Sequence, residues 1–200
     1  MKSLPLYQID AFTNQLFGGN PACVVPLTEW LPDELLFQIT RENAVAETAF
    51  FIPGPEKIQL RWFTPEIEMD LCGHATLTTA HCLKRILKYE GDSMIFDTVS
   101  GELTVTESDG WYYMDFPSRM PLPAELLPNI EEAVSLAPTT VYKSRDYVLL
   151  YESEEAVRNI KIDRNALDQV NLDPGGVIVT APGDEADFVS RFFTPQASIL

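Results

Sequence analysis

Short apolar runs bounded by Gly, Pro and Asn alternate with polar stretches through the first 120 residues, the pattern of strands separated by turns. Leu4–Phe12, Ala22–Leu27, Thr48–Ile52 and Ile58–Phe63 are the first four predicted strands. Pro32-Asp33-Glu34 opens an amphipathic helix that runs to about Asn43, with proline in the first turn and acids at the positive end of the dipole. Residues 75–88 predict the other clear helix. Its start, Ala75-Thr76-Leu77-Thr78-Thr79-Ala80, has no charged face, whereas Lys84, Arg85 and Lys88 gather where cations suit the dipole. This reads as a central helix wrapped by strands. Strands at Met94–Thr98, Glu102–Glu107 and Trp111–Phe116 follow, with turns at Ser100-Gly101 and Asp109-Gly110.

Pro117, Pro121, Pro123 and Pro128 then block helix and central strand alike, so a linker is expected there, with domains at 1–118 and 119–200. Beyond it the pattern predicts strands around Val141 and at Tyr147–Tyr151, short helices at Glu154–Asn159 and Asp163–Val170, and strands at Val177–Ala181 and Phe188–Phe193. One phrase recurs: Arg61-Trp62-Phe63-Thr64-Pro65 returns 130 residues later as Arg191-Phe192-Phe193-Thr194-Pro195. The flanks agree. Asp33 maps to Asp163 at the same offset, and Phe50–Gly54 parallels Val179–Gly183 with one residue of slippage. A duplication is the reading adopted, against the alternative of two similar edge strands. On that reading the counterpart of Cys72 falls at position 202, and the second domain is expected to be truncated before its own central helix.

Composition narrows the function classes. Fourteen Lys and Arg against thirty Asp and Glu give a net charge of −16, a field that repels phosphates and anionic headgroups, so neither nucleic acid nor membrane is an expected partner. The N-terminus lacks the continuous apolar core of a signal peptide and no run reaches the length of a spanning helix, so a cytoplasmic location is expected. The odd set Cys23, Cys72 and Cys82 fits a reducing compartment, with thiols used for packing or chemistry.

Candidate chemistry lies in two places. Asp70-Leu71-Cys72-Gly73-His74-Ala75-Thr76 opens the central helix, where backbone amides without intrahelical acceptors and the positive dipole end make an anion site. Gly73 would let a substrate carboxylate approach the amides of residues 73–75, and Cys72 beside them would have a lowered thiol pKa. The alternative is a small buried Cys72 and a simple turn at Gly73-His74. Glu47 stands among small and aromatic residues at the mouth of an apolar strand, where desolvation would raise its pKa and suit it to take and return a proton. The competing reading is an edge carboxylate facing solvent. Asn20, in Phe17-Gly18-Gly19-Asn20-Pro21-Ala22, either offers its amide to a ligand or only makes the turn. Cys72, His74, His81 and Cys82 are permissible zinc ligands, but adjacent helical positions point about 100° apart, so no metal is expected. Phosphate-binding and serine-nucleophile motifs are absent from the sequence.

Together with Asp10-Ala11-Phe12-Thr13, Glu42-Asn43, Glu47-Thr48-Ala49-Phe50 and Ser100-Gly101, these phrases resemble the PhzF family, the phenazine-biosynthesis isomerase group, similar in fold to diaminopimelate epimerase and proline racemase. The resemblance implies an α+β fold of two similar domains, each a mixed sheet or barrel curled around a central helix, with a cofactor-free active site in the cleft between them. It makes Glu47 the acid/base and has the turn from Cys72 to Thr76 hold the substrate through Gly73 and His74. Epimerase relatives use one cysteine from each domain, one of them at the position of Cys72. The PhzF group usually carries an aspartate phrase, D-P-x-T-G-S-A-H, in place of the second cysteine. That phrase would begin at about 202, and this sequence does not contain it. The implied function is a cofactor-independent isomerase acting on a small carboxylate-bearing metabolite. A cysteine-dependent epimerase or racemase, or a non-catalytic metabolite- or protein-binding member, are the alternatives. A homodimer is the expectation by frequency alone.

Overall fold

The apolar runs of the N-terminal half join one sheet in the computed structural model, which describes residues 3–172 and 175–195. Its members in chain order are β1 (Tyr7–Ala11), β2 (Asn20–Pro26), β3 (Glu47–Ile52), β4 (Ile58–Phe63), β5 (Glu68–Met69), β6 (Ser93–Thr98), β7 (Gly101–Ser108) and β8 (Trp111–Asp115). The spatial order is β1-β2-β3-β4-β6-β7-β8, with β5 on β4. The β2–β3 and β4–β6 pairs are parallel, so each requires a crossover. Helix α1 (Asp33–Asn43) lies in the first and α2 (Gly73–His81) in the second.

The two helices cover opposite faces. Val25, Phe50 and Phe63 pack with Leu36 of α1, whereas Ala22, Val24, Ala49, Leu60 and Trp62 pack with Ala75 and Ala80 of α2. Because both faces of β3 are covered, Glu-Thr-Ala-Phe-Phe-Ile is buried over its first five residues instead of alternating. The sheet curls around α2, whose Thr76, Thr78 and Thr79 are buried. Each hydroxyl is satisfied on the helix's own backbone: Thr76 donates to Cys72 O at 2.6 Å, and Thr78 and Thr79 to Ala75 O at 3.0 and 2.7 Å. A central helix can therefore be threonine-rich without stranding polar groups.

The predicted helix over 75–88 differs at both ends. It begins at Gly73, and after His81 the chain widens into a π-turn over Cys82–Ile86, closed by Leu87 N–H donating to Cys82 O at 2.9 Å. Lys88, in the left-handed region at φ 59°, ends it.

The second half forms a five-stranded sheet, β9 (Leu122–Pro123), β10 (Thr140–Lys143), β11 (Tyr147–Leu150), β12 (Val177–Pro182) and β13 (Phe188–Phe193), in the order β13-β12-β11-β10-β9. Helices α3 (Pro128–Ala133), α4 (Glu154–Asn159) and α5 (Arg164–Leu167) accompany it. The last is shorter than the helix expected over Asp163–Val170; Asp163 caps it through the amides of Asn165 and Ala166. The proline-rich stretch read as a linker holds β9, which pairs with β10 at the sheet edge, where a proline costs no ladder bond. The chain divides into two units, Met1–Pro117 and Ser118–Leu200.

Strands β10 to β13 repeat the plan of β1 to β4: antiparallel, parallel, antiparallel. The slippage is visible in the register, since Thr48 pairs with Phe63 while Val177, 129 residues after Thr48, pairs with Phe193. Like α1, α4 lies in the parallel crossover, and Val157 joins Leu149 and Val179 in the core beneath it. Among the described residues, which end at 195, the second unit has no counterpart of α2. The face that α2 covers in unit 1 corresponds here to one bearing Phe188 and Phe192, which are 67% and 54% exposed.

Candidate active site

Alternation along β3 places Glu47 on the same side as Ala49, toward α2, and the parallel pairing sets it opposite Ala22. The strand starts there because α1 ends at Ala44, in the left-handed region at φ 53°, and Asn43 Nδ2 donates to Thr48 Oγ1 at 3.0 Å. Glu47 is buried, so the reading of an edge carboxylate in solvent does not hold.

Opposite it the chain turns into α2. Ser100 Oγ donates to Asp70 O at 2.6 Å, anchoring the approach, and Cys72, in extended conformation, precedes the first helical turn. His74 in that turn reaches Glu47, its Nε2 lying 3.1 Å from Oε2. The contact is not aligned as a hydrogen bond, so both atoms are buried without one. The side chains of His74 and Glu47 are only 11% and 9% exposed. On the other side of the ring, Nδ1 lies 3.6 Å from Cys72 Sγ. One imidazole therefore stands between a carboxylate and a thiol. The amides of Gly73 and His74 open the helix beside them, where it supplies no acceptor.

Cys72 overturns one expectation. Burial and the neighbouring Glu47 carboxylate push its thiol up to about 12, so desolvation outweighs the helix dipole and the group is a neutral thiol. Of the four residues weighed and set aside as zinc ligands in the sequence, His81 is not brought to Cys72. His81 lies nine residues after Cys72, about 13 Å along the axis, and its ring stands edge-on to Tyr112 with centroids 5.9 Å apart. Instead, donor atoms of Glu47, Cys72 and His74 lie within 4.8 Å of one another. Spacing alone could not bring Glu47 into that group, because it arrives on a different strand; an acid inside an apolar run is the signal that marks it.

Asn20 begins β2 two residues before Ala22, on the side of the sheet that Glu47 faces. Gly73 has room: a Cβ there would meet nothing nearer than the Phe116 ring at 4.0 Å. A cavity of about 640 Å³ lies elsewhere in this unit, lined by Asp10 of β1 and Phe12 just after it, Leu77 and His81 of α2, and Trp111 and Tyr112 of β8. Its lining includes neither Glu47 nor His74. No helix among the described residues is long and apolar enough to cross a membrane.

The sequence profile of the phenazine biosynthesis-like proteins matches residues 9–200, and the chain belongs to that family. It is 44% identical to an uncharacterized isomerase of Pseudomonas aeruginosa over 98% of this chain and 75% of the relative. The crystal structure of a PhzF-family phenazine biosynthesis protein from Enterococcus faecalis superposes with a TM-score of 0.88 at 43% identity, over 98% of this chain and 75% of that one. A predicted epimerase of P. aeruginosa, at 24% identity and a TM-score of 0.65 over 88% of this chain and 70% of that one, shares the fold.

Proposed function

We propose that this protein is a cofactor-independent isomerase that takes a proton from a carbon of a small carboxylate-bearing metabolite and returns one, with Glu47 as the acid/base. The observation that carries the reading is the Glu47 Oε2 atom: buried, without a hydrogen bond, and 3.1 Å from His74 at the start of α2. A polar atom in that state is costly to the fold, and such atoms concentrate where a ligand completes the bonding. The isomerase names of relatives such as the one from P. aeruginosa support the same class of reaction.

In this reading the substrate carboxylate rests on the Gly73 and His74 amides, and the dipole stabilises charge as it develops on the substrate. Glu47 accepts the proton from carbon and gives it back, while His74 orients the carboxylate. Asn20, on the facing side of β2, contributes an amide to the bound molecule. Cys72, as a neutral thiol, holds the far edge of the imidazole and is not the base, which counts against the cysteine-dependent alternative.

The test is solvent exchange. The protein expressed from its native gene is incubated in D2O with a set of α-amino and β,γ-unsaturated carboxylic acids, and deuterium incorporation is followed by proton NMR. Incorporation into at least one acid is expected, with Glu47→Gln lowering its rate about 1000-fold, as befits loss of an acid/base group. Exchange that survives Glu47→Gln would remove Glu47 from the reaction.

A further inference from the structure

We infer that Glu47, Cys72 and His74 form a binding site for a thiophilic divalent cation of the zinc class. The inference concerns the residues of the proposed acid/base but rests on their donor atoms, so it stands or falls separately from that reading.

Three donors of different kinds, a carboxylate oxygen, a thiol sulfur and an imidazole nitrogen, lie within 4.8 Å of one another. Ligand atoms around one tetrahedral zinc ion are separated by about 3.3–3.7 Å, given metal–ligand bonds of about 2.0–2.3 Å. The cluster therefore contracts by about 1 Å on binding. His74 makes the adjustment, since it meets the thiol through Nδ1 and the carboxylate through Nε2, and an ion takes only one of the two nitrogens. A turn of the ring brings that nitrogen to the ion.

Two further observations point to a ligand and not to packing. Glu47 Oε2 and His74 Nε2 are both buried without a hydrogen bond, and a cation between the three side chains would bond the carboxylate and one ring nitrogen. Charge closes as well. As the sulfur–metal bond forms, the Cys72 S–H bond breaks and its proton leaves to solvent, so thiolate, carboxylate and neutral imidazole together balance a +2 ion. A neutral cluster is the form least penalised by burial. The mixed S/N/O set selects among cations: thiolate favours zinc, cobalt and other borderline or soft ions, whereas magnesium and calcium demand six or more oxygens. Three protein ligands leave a fourth position for water or a ligand atom.

Cobalt(II) supplies the probe, because it takes the zinc geometry and shows a thiolate-to-metal charge-transfer band in the near ultraviolet. Titration of the protein with cobalt(II), without substrate, should develop that band to one equivalent, and zinc(II) should abolish it by displacement. Cys72→Ser should remove the band, and Glu47→Gln should weaken binding tenfold or more. Cys23→Ala and Cys82→Ala, altered outside the cluster, should leave the titration as it is. His74→Gln repeats the test should Cys72→Ser fail to fold. Absence of the band at stoichiometric cobalt(II), or a band that survives Cys72→Ser, would overturn the site, and neither result depends on whether Glu47 moves a proton.

Discussion

Trp62 and Phe192 hold the same place in two copies of one strand plan, yet the first is fully buried and the second is 54% exposed. Their strands are alike: the preceding arginines stack comparably, Arg61 at 4.9 Å over Phe63 and Arg191 at 5.0 Å over Phe193. Among the described residues the difference is α2. In unit 1 it covers the face that carries Trp62 and supplies Cys72, Gly73 and His74 at its start. The position that slippage makes equivalent to Glu47 is Gly176, where a Cβ would come within 2.5 Å of the Phe192 ring. In unit 1 the candidate chemistry thus enters on the shared strand plan with one helix and one carboxylate.

The arginines diverge in the same way. Arg61 holds Glu68 through two 2.7 Å bonds and Asp33 of α1 at 3.0 Å, tying the helix start to the sheet. Arg191 instead donates to the carbonyls of Val157 and Ile160 at the end of α4. One side chain serves opposite helix poles, in each case the charge complement of what it meets.

The comparison can be broken most forcefully at the paired aromatics. Trp62→Ala empties a closed core and should cost about 3–5 kcal/mol in urea denaturation, whereas Phe192→Ala, already half in solvent, should cost about 1 kcal/mol or less. Equal losses would mean that α2 is not what separates the two faces. Next come the glycines. Gly176→Ala overlaps Phe192 and the Phe193 carbonyl and should cost about 1–3 kcal/mol, while Gly73→Ala, with its open surroundings, should change stability by less than about 1 kcal/mol. The smallest effect is that of pH at the site. The Cys72 thiol is raised from 9.0 to about 12, so the folded state keeps a proton that the unfolded state releases in that interval. Its contribution is complete below about pH 9 and falls as pH rises toward 12. Between pH 8 and 10 the protein should lose roughly 1 kcal/mol on this account, and Cys72→Ser should flatten that part of the profile. A profile steepened by Cys72→Ser would show the thiol to be ionised in the folded state.

Much of this was legible in the residues. The strands of unit 1 follow their apolar runs because a buried strand needs little beyond a short hydrophobic stretch and a turn at each end. The one-residue slippage between Phe50 and Val179 shows in the sequence, and the same slip appears in the strand register. Glu47 stands out because a carboxylate in Ala-Val-Ala-Glu-Thr-Ala-Phe-Phe has no local reason to be there. Other features depend on contacts that no local pattern encodes. Cys72 sits at a helix start, which argues for a lowered thiol, but its burial and its distance from Glu47 are tertiary facts and they reverse the sign. The π-turn at Cys82–Ile86 carries Leu83, Lys84, Arg85 and Ile86, which read as ordinary helix. Residues 75–80 show that the helix is buried, whereas the hydroxyl bonds to Cys72 and Ala75 explain how it can be.

The central claim is that the carboxylate of Glu47, and not the thiol of Cys72, moves the proton. Solvent-deuterium exchange into the turned-over acid, measured side by side for Glu47→Gln and Cys72→Ser, separates the two. The account predicts a rate about 1000-fold lower for Glu47→Gln and a loss of no more than about tenfold for Cys72→Ser. The reverse order, with Cys72→Ser inactive and Glu47→Gln retaining exchange, would contradict it.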